Sequence, residues 1–260
     1  MTDTRTSAFV LRTRPYGESD LIATLLTQDC GKLGGIAKGA RRSRRRFAGG
    51  ALQPFQHVQV RFSLGREHSL VLLHDARVVE SYQVVGGDLI GYAWASYISE
   101  LAEAMTPERD PCPDLFALYR GTVASIAGGN KAEPVAHHFI LGLLGHAGWR
   151  PDFTTCGICS EPVTAYTRPV LDPRGSGIVC SRHEAESRGV DPFDPSFRPS
   201  RRVLDAPLLE YVRQAEKSMV FDCDSQVIET ATALLDRLVD LHLGRPLKSR
   251  DFIKTLSHEI

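Results

Sequence analysis

No apolar run in this sequence is long enough to cross a bilayer. The longest uncharged stretch of interest, Pro134–Trp149, falls short of the ~20 residues a spanning helix needs, and it carries His137, His138 and His146. The amino end, Met-Thr-Asp-Thr-Arg, lacks the apolar segment of a signal peptide. Net charge is lacking as well, since 31 Lys and Arg balance 31 Asp and Glu. A paired cysteine framework is missing. Cys156, Cys159 and Cys180 cluster, whereas Cys30, Cys112 and Cys223 are scattered, and the odd remainder argues against disulfides. There is no GxxxxGK[ST] phosphate cradle, so nucleotide hydrolysis is not expected. These absences predict a soluble, cytoplasmic protein without a membrane partner.

What is there is an ordinary folding composition, 42% hydrophobic and 24% charged, over 260 residues. That length suffices for a real core in one large or two small domains. The zero net charge hides an asymmetry. Residues 1–80 carry 13 Lys and Arg against 7 Asp and Glu; residues 81–260 carry 18 against 24. A basic module joined to an acidic body suggests that the module meets a polyanion.

The first 80 residues read as strands between Gly- and Arg-rich turns. Ser7–Arg14 and Asp20–Thr27 are apolar runs flanking the turn signal Pro15-Tyr16-Gly17. Lys32–Ala37 is Gly-rich. Val58–Leu64 alternates strictly, with Val58, Val60, Phe62 and Leu64 on one face and Gln59, Arg61 and Ser63 on the other. His68–Glu80 supplies a fifth run. Five short strands suit an OB-type barrel, although an open SH3-like barrel fits the pattern almost as well.

After Gly86-Gly87 the period becomes helical. Helices are expected over Asp88–Met105, Asp114–Ala127, from an Asn130 cap to near Gly148, over Ala206–Lys217 and over Asp224–Leu243. Trp94 and Trp149 are expected in the core. The fold class is thus α+β: an OB-fold domain over 1–82, a helical domain over 83–150 and 201–260, and an insertion over 151–200.

That insertion has too few apolar residues to pack by itself and needs a staple. Cys156-Gly157-Ile158-Cys159 and Cys180-Ser181-Arg182-His183 provide one, because two pairs with x2 spacing match structural zinc sites. Three thiolates and one imidazole fill a tetrahedral Zn2+ shell, so one structural zinc per chain is expected, with Gly157 easing the turn. Glu184 beside His183 suggests a zinc hydrolase as a rival, but no second spaced His follows it.

Lys38, Arg41, Arg42, Arg44, Arg45 and Arg46 place six cations in nine residues. No carboxylate lies between Asp29 and Glu67 to offset them. The planar fork of arginine suits phosphate, and nucleic acid is the commonest polyanion for such a patch. Phe47 and Tyr16 are candidates to stack on unpaired bases, and Arg61 joins the expected nucleic-acid contacts. No groove-reading helix is evident, so binding should be mainly to phosphate. Neutralising about five phosphates of a single strand would give a log–log salt slope near −3.5.

Several strings carry a family resemblance: Ala8-Phe9-Val10-Leu11, Tyr16-Gly17-Glu18-Ser19-Asp20, Gly31-Lys32-Leu33, Ala37-Lys38-Gly39-Ala40-Arg41, Leu241-His242-Leu243-Gly244 and Lys248-Ser249-Arg250. Together with the order of barrel, helices, cysteine knuckle and helices, they make the chain similar to the RecO family over essentially its whole length. The resemblance implies a non-enzymatic recombination mediator in DNA repair, associated with the nucleoid. Such a protein binds single- and double-stranded DNA and anneals complementary strands. With RecR it helps load recombinase onto DNA coated by single-strand binding protein, whose tail meets the helical body. Many members carry four knuckle cysteines, and His183 departs from that pattern. Charge and fold alone equally permit an RNA- or ribosome-associated OB-fold protein with a zinc knuckle.

Overall fold

The computed structural model describes residues 3–64, 69–82, 88–172, 177–189 and 203–259. Among them, the chain opens with β1 (Asp3–Tyr16), β2 (Asp20–Thr27), β3 (Gly31–Ala37), β4 (Gln56–Ser63) and β5 (Val71–Ser81). Helices α1 (Leu89–Met105), α2 (Pro113–Ala127) and α3 (Ala132–His146) follow. Next come β6 (Asp152–Cys156), β7 (Val170–Leu171), β8 (Gly177–Val179) and the single turn α4 (Glu184–Ser187). The chain ends with α5 (Ala206–Lys217), α6 (Ser225–Leu243) and α7 (Lys248–Glu259).

Two compact units result, one of Met1–Ala132 with Leu247–Ile260 and one of Glu133–Pro246. In the first, the five strands follow the order β1-β2-β3-β5-β4 and close, because β1 pairs with both β2 and β4. The β3–β5 seam is parallel through Gly35–Val71 and Ile36–Leu72, and every other pairing is antiparallel. The alternation in β4 is realised: Val58, Val60 and Phe62 point into the barrel with Val10, Leu25, Leu33 and Leu73. Leu64, expected on the same face, lies past the strand end and is exposed.

Helix α1 packs on the outer face of β1 and β2, so the compact unit does not end at residue 82. Asp88 caps α1 by accepting the N–H groups of Ile90 and Gly91. A buried hydrogen bond of 2.6 Å between Ser99 and Tyr119 ties α1 to α2. Phe9 emerges from β1 beneath α2, stacks on His57 at 4.8 Å and meets Phe116 and Tyr119. Helix α7 was not legible as a helix. It belongs to this unit because Glu100 of α1 caps it, accepting from the Lys248 and Ser249 N–H groups and the Ser249 hydroxyl.

The second unit is built on α3, α5 and α6. Asp205 and Asp224 cap α5 and α6, and α6 stops at Gly244 in the left-handed region. His137 is fully buried between them. It bonds the Tyr211 hydroxyl through Nδ1 at 2.7 Å and Thr232 through Nε2 at 3.1 Å. Asn130, expected to cap α3, instead donates to the carbonyl and hydroxyl of Ser125 and so closes α2. Trp149 is a further correction. Its ring is 40% exposed and stacks on His242 at 4.4 Å, outside the core. Strands β6, β8 and β7 form a small three-stranded sheet in that order.

Candidate nucleic-acid interface and metal site

The basic segment follows β3 directly. Gly39 turns the chain with φ 65, a conformation that a side chain would strain. The Gly39 N–H donates to Asp20 Oδ1 at 2.8 Å, and the Arg41 N–H donates to the Ser19 carbonyl at 3.0 Å. Both partners lie at the β1–β2 turn, where Tyr16 stands opposite Asp20 in register. The segment is therefore bolted to that turn. It is also anchored from below: Ala40 and Phe47 are buried and join the barrel core, and the Arg46 carbonyl accepts the Ala76 N–H at 2.9 Å.

These contacts sort the expected nucleic-acid residues. Lys38, Arg41, Arg42, Arg44, Arg45 and Arg46 are all exposed at one end of the barrel. Tyr16 is 54% exposed beside them and open to stacking. Phe47 is not, because its ring is 6% exposed and packs with the core residues Ala40, Ala51 and Leu52. In the sequence it lies among the arginines; the fold turns it inward to plug the barrel end. Arg61 already has partners of its own. Its guanidinium donates to Asp75 at 2.6 Å and to Asp3 at 2.7 Å, and these bonds hold its pKa above the ordinary value. A cation already shared by two carboxylates is a weak phosphate ligand. Arg14 was overlooked in the sequence. It is exposed on β1, and strand alternation sets it on the same face as Tyr16. The signal available was its spacing of two from Tyr16.

Glu18 and Asp20 lie at the same turn, so the six cations are partly offset. Asp20 keeps its charge while it accepts from Gly39 and Ser19, but only two carboxylates face the six cations. The balance of the patch stays positive.

In the second unit, the side-chain donor atoms of Cys156, Cys159, Cys180 and His183 all lie within 4.8 Å of one another. The His183 Nδ1 atom is 3.2 Å from Cys180 Sγ and 3.8 Å from Cys156 Sγ. With Zn–S bonds of about 2.3 Å, the sulfurs of a tetrahedral site lie about 3.8 Å apart, so this spread fits one ion. The environment also favours thiolate. Burial alone would raise the Cys156 thiol, but N–H groups of Cys159, Cys180 and Ile158 outweigh it and pull the pKa down to about 6. The Cys180 N–H stands 3.4 Å from Cys156 Sγ. Strand β6 and the turn after β8 bring the pairs together, with the Gly157 N–H bonded to the Ile178 carbonyl. The residue that takes the unusual backbone is Ser160, with φ 59. A Cβ on Gly157 would meet only the Ile178 carbonyl, at 3.7 Å, so Gly157 is not the steric necessity expected. Glu184 is buried and bonded to Arg188 at 2.5 Å, so it is not free to serve as a general base.

Residues 1–82 match the family described as Recombination protein O N terminal, and residues 86–251 match Recombination protein O C terminal. The chain belongs to the RecO family. It is 35% identical to the DNA repair protein RecO of Myxococcus xanthus over 95% of both chains. It is 36% identical to that of Syntrophobacter fumaroxidans over 72% of this chain and 73% of the relative. With the RecO protein of Pelobacter propionicus the identity is 31% over 97% and 96%. The two RecO family segments meet between 82 and 86, where the sequence changes period. The compact units divide later because α1 and α2 pack with the barrel. Among the described residues, no helix is long and apolar enough to cross a membrane.

Proposed function

We propose that this RecO-family protein is a non-enzymatic DNA repair and recombination mediator whose OB-type barrel grips DNA at its basic end. The observation that carries this reading is the basic segment itself, fixed against the β1–β2 turn beside the exposed Tyr16. Two single strands repel through their phosphates. A cationic rim offsets that repulsion, and a stacking platform keeps bases splayed and open to pair. Annealing makes and breaks no covalent bond, so it needs no nucleophile or general base.

The family relationship supports the finer roles. We assign to the protein annealing of single strands and loading of recombinase, with RecR, onto DNA coated by single-strand binding protein. Such work would place it at the nucleoid. The Cys156, Cys159, Cys180 and His183 cluster would hold a structural Zn2+ whose shell is filled by protein. When bound, the ion supplies a cross-link between β6 and the turn after β8, a segment short of apolar core.

A strand-annealing assay with complementary oligonucleotides, with and without single-strand binding protein, tests the reading. Accelerated annealing that persists on coated strands is expected. Tight binding to RNA at matched salt, with no acceleration of DNA annealing, would overturn it.

A further inference from the structure

The six cations of the basic segment are not equivalent. The Arg41 guanidinium donates to the Glu18 carbonyl at 3.1 Å. The Arg46 guanidinium donates to the Lys38 carbonyl at 2.7 Å and lies 5.4 Å over the Phe47 ring. Each clamps backbone to backbone. Arg41 joins the segment to the β1–β2 turn, and Arg46 closes the segment on itself, helped by its N–H bond to Ser43 Oγ. By contrast, the side chains of Lys38, Arg42, Arg44 and Arg45 make no hydrogen bond or ion pair among the described residues. The same holds for Arg14, on the Tyr16 face of β1.

We propose a division of labour within the DNA site: Arg41 and Arg46 are positioning residues that hold the segment's shape, and Lys38, Arg42, Arg44, Arg45 and Arg14 bind phosphate. The inference rests on the DNA-binding reading and deepens it. A cation whose donors point at carbonyls has fewer left for phosphate, whereas an unpartnered guanidinium presents its whole fork. Pre-shaping matters because a loose segment must be ordered on binding, which weakens affinity without removing any phosphate contact. The basic segment is therefore a preformed surface, unlike the solvated arm that like-charge runs often make.

The two roles separate in the salt dependence. The slope of log affinity against log salt counts phosphates neutralised, about 0.7 for each on a single strand. The probe is a fluorescent oligothymidylate titrated over a range of KCl, alongside hydrogen exchange of amides 39–47 in the free protein. Arg44→Ala or Arg45→Ala should each lower the slope by about 0.7 and leave exchange unchanged. Arg46→Met should speed exchange at Gly39, Arg41 and Arg46. It should weaken binding roughly three- to tenfold at every salt concentration and keep the slope. Arg41→Met should behave in the same way. A slope lowered by about 0.7 in Arg46→Met, or an unchanged slope in Arg44→Ala, overturns the division. If the unaltered protein shows no salt-dependent binding, the DNA reading itself fails, and the exchange data still report whether Arg46 holds the segment.

Discussion

Tyr16 is open at the β1–β2 turn, and Phe47 is a plug in the barrel end. Tyr16→Ala should therefore weaken single-strand binding by about 1–3 kcal/mol and leave thermal stability nearly unchanged. Phe47→Ala should destabilise the barrel by about 3–5 kcal/mol through the cavity it leaves. Parallel melting and binding titrations check both, and the reverse pattern would be inconsistent with this geometry. No local pattern in the sequence separates them. Burial depends on the register between β3 and the segment after it, and the cation run hides that register.

His137 gives a second residue-scale test. Burial drives its pKa down from 6.5 to about 3, so the native state keeps the ring neutral. The unfolded chain binds a proton through its ordinary pKa, and the native state does not. Stability from this site is therefore complete above about pH 6.5 and lost as pH falls towards 3, at up to ~1.4 kcal/mol per pH unit. Chemical denaturation at stepped pH should show that slope in the native protein and a shallower one in His137→Gln. Equal slopes would mean that the ring is solvated.

At the scale of elements, one cap and the alternation were readable in advance. Asp224 accepts an N–H group at the start of α6, and Val58, Val60 and Phe62 line the barrel, whereas Asn130 turns back to Ser125 and does not cap α3. Helix α7 was not readable, because it is polar along most of its length and its cap comes from Glu100, far away in the chain. Long-range capping leaves no local signature. Glu100→Ala should cost about 1 kcal/mol and loosen α7 first, seen as faster amide exchange near Lys248 and Ser249. Unchanged exchange there would show that packing on α1 alone holds the helix. Trp149 was misplaced for a related reason. Residue type suggests core, but the chain end of α3 turns it outward onto His242.

For the whole molecule, a basic barrel, a cluster of three cysteines and a histidine, and a helical body were legible in the sequence, because each has a local pattern of charge, cysteine spacing or period. The sequence did not disclose that α1 and α2 pack on the barrel and α7 on α1, since those contacts join distant segments. The knuckle should depend on metal. Cys156→Ser, or a strong chelator, should release one zinc equivalent, with exchange rising across β6 to β8. Metal retained at one equivalent would mean a different ligand set. The central claim is that the barrel's cationic end binds nucleic acid through phosphates. Its most direct test is the salt dependence of single-stranded DNA binding for the protein and for Arg42→Ala/Arg44→Ala/Arg45→Ala. A log–log slope near −3.5 is expected for the protein, reduced in magnitude by about 2 in the triple variant. Identical slopes and affinities for the two proteins would contradict it.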